Sequence, residues 1–398
     1  MDLIPTEIKQ NVLQSMINII DKSRAKILAA NQQDLEAFNV DDRALYDRLV
    51  VDDAKIDGMI KAVKEVKNQS DPVGKILSEL TLENGLEVIN KTAPFGTIMI
   101  IYESRPDVTV EAAVLAFKAN SKILLKGGKE AINSNKALVE CWHEALTENG
   151  LSEDWITLFT LNREATQAFL KNPTEKLDLI VPRGGEKLIA FVKEHAECPV
   201  LVSGRGNNFA YVAADADWEK TKKVIINAKT DKISGCNALD KILFDEKLPN
   251  LDQKMADLAS EFENRDVTIV ADKASLPHLK NAQLIKNESV WFEEFLALKA
   301  CIGQVNSMEE AIDKINTYSG GHSSTILTES KSKAATFMQM VDNAAVYHNA
   351  STRFTDGGQM GVGAELAIST DKLHHRGPLG LEQLVTNKYY VFGDGHIR

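Results

Sequence analysis

Short apolar runs separated by amphipathic stretches predict an α/β protein with two doubly wound parallel sheets in series. Three observations carry this reading. From Gly96 onward strand-like and helix-like segments alternate, the same alternation resumes from Asp217, and the strand-like runs are short and apolar, as strands covered on both faces must be. Before Gly96 the pattern differs. Leu13, Met16, Ile17 and Ile20 recur at helical spacing, with Ile27 and Leu28 following, so about the first 70 residues read as amphipathic helices. After Asp71-Pro72 the stretch 82–92 alternates around Asn84-Gly85, a hairpin signal, and Pro94-Phe95-Gly96 closes it.

The first α/β series then reads as strands over 98–102, 121–125, 177–181, 200–202 and 209–212, with helices over 108–119 and 134–146. The second reads as helices over 217–229, 250–263 and 309–317, with strands over 241–244, 267–270 and 323–327. Tyr389, Tyr390, Val391 and Phe392 mark a final strand within 383–392. The sequence shows no internal repeat and no long Pro/Gly linker, so closely packed domains are expected.

At 398 residues the chain exceeds one ordinary core and predicts two or three domains. Its 46 Lys and Arg against 57 Asp and Glu give −11, which excludes a bulk nucleic-acid or anionic-membrane footprint while leaving room for a small anionic substrate. Cys141, Cys198, Cys236 and Cys301 form no C-x-x-C pair, which suits neither a disulfide framework nor a zinc cluster. The first ten residues lack the apolar stretch of a signal peptide, and no run approaches the ~18 apolar residues of a membrane span. A cytoplasmic protein is expected.

Cys236, straight after Ser234-Gly235, is a thiol on a tight polar turn and a candidate nucleophile. Nucleotide signatures fail around it. Gly204-Arg-Gly206 has two glycines of the dinucleotide fingerprint but Phe209 where the third belongs, and Lys126-Gly-Gly-Lys129 is followed by Glu130 rather than Ser or Thr. What survives is two strand ends, Lys126-Gly127-Gly128-Lys129 and Pro182-Arg183-Gly184-Gly185, where cations and backbone donors meet at the carboxyl edge of a parallel sheet, the usual place for a ligand. Plain turns with solvated cations are the alternative reading. His374 and His375 are adjacent, but neither a zinc-protease pair nor a serine-nucleophile elbow occurs, so no metal site is expected. Arg105, Arg353 and Arg376 fall in segments read as loops or strand ends.

These segments together resemble a known family. Gly96-Thr-Ile-Met-Ile-Ile-Tyr-Glu-Ser-Arg-Pro-Asp-Val-Thr-Val110, Leu124-Leu-Lys-Gly-Gly-Lys-Glu130, Leu179-Ile-Val-Pro-Arg-Gly-Gly185, Asn227-Ala-Lys-Thr230 with Cys236-Asn237, and Asn349-Ala-Ser-Thr-Arg-Phe-Thr-Asp-Gly-Gly-Gln359 are similar to the γ-glutamyl phosphate reductases of the aldehyde dehydrogenase superfamily. The resemblance implies an aldehyde dehydrogenase-like α/β fold, two doubly wound domains with a β-hairpin oligomerisation flap. It places a cofactor-binding domain over 1–204 with the hairpin at 80–95, a catalytic domain over 205–375, and a C-terminal return and oligomerisation strand over 376–398. The implied reaction is NADPH-dependent reduction of L-glutamate 5-phosphate to the semialdehyde, with phosphate release, in proline synthesis. It implies a homo-oligomer that takes its substrate from glutamate 5-kinase.

Residue by residue, the resemblance assigns Cys236, Ser104 and Asn237 to catalysis. Lys126, Gly127, Gly128, Lys129, Arg183, Gly184, Gly185 and Glu294 would bind the cofactor, with Lys129 favouring a 2′-phosphate. Arg105, His322, Arg353 and Asp356 would bind substrate, Glu103 being the alternative to Asp356 for its ammonium. Val202 stands where simple aldehyde dehydrogenases keep a glutamate that activates water, so the acyl intermediate would be reduced rather than hydrolysed. The chain departs from the family pattern at Asn208, Phe209, Lys314 and Ser324. Two other readings stay open: a reductase of acyl-CoA thioesters, and a silent metabolite-binding homologue.

Overall fold

The computed structural model describes residues 3–39 and 43–398, and the chain in it divides into two units. Unit 1 is Met1–Val202 with Gly361–Ala367 and Leu379–Arg398, and unit 2 is Ser203–Met360 with Ile368–Pro378.

Unit 1 opens with α1 (Thr6–Lys22), α2 (Arg24–Ala37), α3 (Arg43–Leu49) and α4 (Asp53–Asn68). The apolar stripe of α1, Val12, Leu13, Met16, Ile17, Ile19 and Ile20, is buried, as the 3.6-residue period requires. Asp52 caps α4 by accepting from Lys55 N at 2.8 Å. Strands β1 (Ile76–Thr81) and β2 (Glu87–Pro94) form the hairpin, which begins earlier than the 82–92 alternation suggested. Gly85 takes φ +90° in its turn, a conformation other residues adopt only at a cost.

The first parallel sheet follows: β3 (Thr97–Tyr102), α5 (Pro106–Lys118), β4 (Lys122–Lys126), α6 (Ile132–Glu148), β5 (Ile156–Leu158), α7 (Arg163–Lys171), β6 (Leu179–Arg183) and α8 (Glu186–His195). Its strand order is β5-β4-β3-β6, all parallel. Every residue of β3 is buried, which explains its unbroken apolar run. The expected strand over 200–202 is a single bridge between Ile180 and Val200. Ile180 N donates to Pro199 O and Leu201 N to Ile180 O, both at 2.9 Å, but the next bond would need the N–H of residue 182, which is Pro182, so pairing stops there.

Unit 2 contains β7 (Asn208–Val212), α9 (Trp218–Thr230), β8 (Leu239–Asp245), α10 (Leu251–Glu263), β9 (Thr268–Ala271), β10 (Gln283–Leu284), β11 (Lys299–Val305), α11 (Met308–Tyr318), β12 (Ser323–Leu327), α12 (Lys331–Met340) and β13 (Ala345–His348). They form one parallel sheet in the order β10-β9-β11-β8-β7-β12-β13. One face carries Ile225, Met255, Leu258 and Phe262 from α9 and α10. The other carries Ile312, Ile315 and Phe337 from α11 and α12. Short strands β14 (Glu365–Ser369) and β15 (Gly377–Gly380) pair with each other, and β16 (Val385–Phe392) runs antiparallel to β2, from Val385 opposite Pro94 to Phe392 opposite Glu87. Among the described residues no helix is long and apolar enough to cross a membrane.

Helix α6 begins against a buried carboxylate from α2. Asp34 accepts from Asn133 N at 3.0 Å, from Ser134 N at 2.8 Å and from Ser134 Oγ at 2.6 Å. These amides belong to the first turn, which has no intrahelical acceptors for them. Asp34→Ala would strand several buried donors, and about 2–4 kcal/mol of stability should be lost. A urea titration is expected to show a lower midpoint, and an unchanged midpoint contradicts the assignment.

Candidate active site

Cys236 lies on the connection between α9 and β8, where two successive turns reverse the chain. Gly235 N donates to Lys232 O at 3.1 Å, and Ala238 N donates to Gly235 O at 2.9 Å. The turn is held against the segment before β7. A Cβ placed on Gly206 would lie only 2.6 Å from both C and Cα of Cys236, so this contact is main chain on main chain and admits only glycine. Beside it the fully buried Asn208 donates from Nδ2 to Gly206 O at 2.9 Å, Cys236 O at 2.8 Å and Ala238 O at 2.7 Å. Two amide protons serve three carbonyls, so at least one is shared. The departure from the family pattern at Asn208 therefore supplies a donor that gathers the thiol turn. Phe209, the neighbouring departure, is a buried core residue.

The opposite side of the turn is locked by the polar segment that follows β13. Asn237 Nδ2 donates to Arg353 O at 3.1 Å and Thr355 O at 2.9 Å, and Thr352 Oγ1 donates back to Asn237 O at 2.8 Å. Arg353 Nε donates to Asp231 Oδ2 at 3.1 Å, and its Nη1 would be 2.9 Å from a Cβ on Gly235. Asp356 turns its Oδ1 onto Gly358 N and Gln359 N at 3.0 and 3.2 Å. The structure thus brings Cys236, Asn237 and Arg353 together.

His322 belongs to the same network at one remove. Its Nδ1 pairs with Ser323 Oγ at 2.7 Å, Ser323 Oγ with Thr355 Oγ1 at 2.7 Å, and Thr355 Oγ1 with Tyr347 OH at 2.8 Å. The ring has no exposed surface, so it acts on the Arg353 segment through Ser323 and Thr355 rather than by meeting a ligand from solvent. Burial pushes its pKa down to about 4, and it is neutral at physiological pH. Ser324 accepts from Asn343 Nδ2, and Lys314 lies 3.6 Å from Glu310 and 5.3 Å over the Trp291 ring, so both departures are structural neighbours of β12 and α11. Arg376 is paired with Asp342 at 2.7 Å.

The remaining candidates other than Glu294 lie in unit 1, at the carboxyl ends of its strands. Buried Ser104 donates to Glu130 Oε2 at 3.3 Å, and a Cβ on Gly128 would be 3.4 Å from Ser104 N and Oγ. Lys126 Nζ donates to Gly127 O at 3.1 Å; burial lowers its pKa, opposed by Glu130. Lys129 opens a short 3-10 turn leading into α6. Gly184 leaves room for the Glu103 carboxyl, 2.8 Å from its would-be Cβ, and Gly185 N donates to Glu103 Oε1 at 3.3 Å. The N-terminus of α8 is therefore already arranged to accept an anionic oxygen, which fits a phosphate group. Arg105 pairs with Asp107 at 2.7 Å. Burial opposes ionisation of Asp107, but Arg105, with Lys55 and Arg183, outweighs it and holds the carboxyl below its ordinary range.

In unit 2, half-buried Glu294 follows a short 3-10 turn, Glu288–Trp291. Val202 sits just past the bridge to β6, half-buried. No group of His, Cys, Asp and Glu suited to a metal occurs among the described residues, and no disulfide joins the cysteines. Sequence reasoning missed Gly206 and Thr352, whose roles depend on partners about 30 and 115 residues away. The glycine of Gly204-Arg-Gly206 was the one available signal, and it marks close backbone approach rather than a dinucleotide turn.

Two measurements check this geometry. Gly206→Ala must move main chain and should cost about 1–3 kcal/mol, whereas Gly58→Ala in α4, whose Cβ meets nothing within 4 Å, should leave stability equal or slightly higher. Equal urea midpoints for the two variants contradict the close approach. For His322 the folded pKa of about 4 lies below the ordinary 6.5, so the unfolded state binds the proton first as pH falls. Stability present above pH 6.5 should decline towards pH 4 by up to about 3 kcal/mol, and His322→Gln should flatten that decline. A wild-type slope retained in the variant excludes His322 as its source.

No protein-family model matches the chain. The γ-glutamyl phosphate reductase of Aquifex aeolicus is 41% identical over 405 residues, spanning 99% of this chain and 92% of its own length. A crystal structure of γ-glutamyl phosphate reductase from Thermotoga maritima aligns with a TM-score of 0.94 at 40% identity, covering 99% of this chain and 95% of that one. An acetylating aldehyde dehydrogenase from Geobacillus thermoglucosidasius, 18% identical with a TM-score of 0.66 over 99% of this chain and 93% of its own, shares the fold. With full-length identity at this level, the chain belongs to the γ-glutamyl phosphate reductase family, built on an aldehyde dehydrogenase-like fold.

Proposed function

We propose that the chain reduces L-glutamate 5-phosphate to L-glutamate 5-semialdehyde in proline synthesis, with NADPH as reductant and a thioester on Cys236 as intermediate. The observation that carries this reading is the thiol turn, a cysteine fixed by Gly206 and Asn208 on one side and by Asn237 and Thr352 on the other.

The Cys236 thiolate attacks the acyl carbon, the C–O bond to phosphate breaks, and phosphate leaves with the electron pair. NADPH, when bound, supplies the hydride that reduces the resulting acyl group. The tetrahedral species on Cys236 then collapses, the C–S bond breaks, and the thiolate is regenerated beside free aldehyde. Backbone N–H groups of the turn stabilise the oxyanion at each tetrahedral stage. Asn237 acts by position, since both protons of its amide are spent on Arg353 O and Thr355 O. Val202 provides no base for water, which protects the thioester from hydrolysis.

Arg353 and Arg105 take the anionic ends of the substrate and Asp356 its ammonium. Lys126, Gly127, Gly128, Lys129, Arg183 to Gly185 and Glu294 would hold the cofactor, with the Lys129 cation favouring a 2′-phosphate. One face of the sheet β1-β2-β16 exposes Leu80, Tyr389 and Val391, an apolar surface suited to a second copy of the chain. Acyl phosphates hydrolyse readily, which favours direct receipt of the substrate from glutamate 5-kinase.

The reverse reaction provides the assay. With L-glutamate 5-semialdehyde and phosphate, NADP⁺ reduction by Cys236→Ala should fall on the order of a thousandfold or more below wild type. Equal rates contradict the nucleophile, and turnover that accepts coenzyme A in place of phosphate identifies an acyl-CoA reductase instead.

A further inference from the structure

Three buried charges lie directly behind Glu294, and none of them belongs to the site described so far. Lys229, near the end of α9, and Asp240, in β8, form an ion pair of 2.7 Å with side-chain exposures of 0% and 3%. A buried pair of this kind contributes little net stability, because desolvation offsets its attraction, so stability alone does not account for it. The remaining oxygen of Asp240 has a second partner: Oδ2 accepts from Phe295 N at 2.8 Å. The next residue of β8, Lys241, is also fully buried and donates from Nζ to Glu293 O at 2.7 Å. Its ammonium sits 3.8 Å from the centroid of the Phe295 ring.

The main chain is thus gripped on both sides of Glu294, at the carbonyl before it and the amide after it. Two residues on, Leu296 takes φ +49°, the left-handed region that a branched side chain enters only at a cost of about 1 kcal/mol or more. Such a conformation persists where neighbouring contacts over-determine it. The hydrogen bonds accepted by Asp240 and donated by Lys241 are charge-assisted and buried, strong enough to hold it.

We propose that Asp240 and Lys241, with Lys229 neutralising Asp240, are positioning residues that clamp the 293–296 backbone so that Glu294 is held ready for the cofactor. This rests on the assignment of Glu294 to cofactor binding. The strand that begins immediately after the nucleophile turn, β8, therefore also sets the carboxylate that meets the cofactor. Thiol and cofactor ligand are referenced to one element.

A double-mutant cycle on NADP⁺ binding, read by calorimetry, tests the clamp. Lys241→Met should weaken binding about tenfold, the loss of one charge-assisted hydrogen bond. In a Glu294→Gln background the same substitution should weaken it less than about twofold, because the clamp acts only through that carboxylate. Alkylation of Cys236 by iodoacetamide should keep its wild-type rate in Lys241→Met. An equal loss in both backgrounds, or no loss in either, overturns the proposal. Glu294→Gln binding like wild type overturns the cofactor reading on which it rests, a result distinct from the first because it needs no change at Lys241. Hydrogen exchange in the wild type is independent of any variant. Amides of 293–296 should be protected to the level of β8, and exchange at the rate of an exposed loop overturns the clamp.

Discussion

The approach of the Gly206 main chain to the main chain of Cys236 is the contact on which the thiol site depends. No side chain fits between them, so the turn cannot drift without disturbing the entry to β7. Asn208 then draws three carbonyls of the two segments onto one amide, and Asn237 and Thr352 exchange hydrogen bonds from the other side. All of these partners are backbone atoms or short polar side chains with few rotamers. The turn that carries the Cys236 thiol is in consequence fixed by the fold, and the entropy of positioning it is met during folding. The polar relay from His322 through Ser323 and Thr355 to Tyr347 extends the same rigidity to the Arg353 segment.

Unit 1 gathers polar groups at one edge of its sheet. The carboxyl ends of β3, β4 and β6 bring Ser104, the Lys126 loop and the start of α8 to one edge of the sheet. Acidic side chains stand against several of these groups: Glu130 on Ser104, Glu103 on Gly185 and Asp107 on Arg105.

The fold was legible wherever burial imposes a period. Helices α1, α5, α9 and α10 and strands β3, β7 and β12 follow from apolar spacing because one face or both are sealed. Strand β11 was not legible: Lys299 and Gln304 interrupt the apolar run, and Gly303 is present because Trp291 fills the space of its side chain, with Cη2 2.7 Å from a would-be Cβ. The stretch 200–202 looked like a strand, but its pairing ends at one bridge because Pro182 of the neighbouring strand has no N–H to continue it. In the site, Cys236 gained meaning only from its neighbours in sequence. Gly206, Asn208 and the Asp240–Lys241 clamp act on residues far along the chain, and no local pattern announces a long-range hydrogen bond to a carbonyl. His322 was legible as part of the segment but not as a buried relay, since burial is a tertiary property.

In the proposed reaction this fixed thiol carries the acyl group. Incubation with L-glutamate 5-semialdehyde and NADP⁺ in the absence of phosphate, followed by rapid acid quench and peptide mass mapping, reads it directly. A γ-glutamyl adduct is expected on the peptide containing Cys236, lost on addition of phosphate before the quench. An adduct on Cys141, Cys198 or Cys301, or none while a stoichiometric burst of NADPH appears, contradicts it.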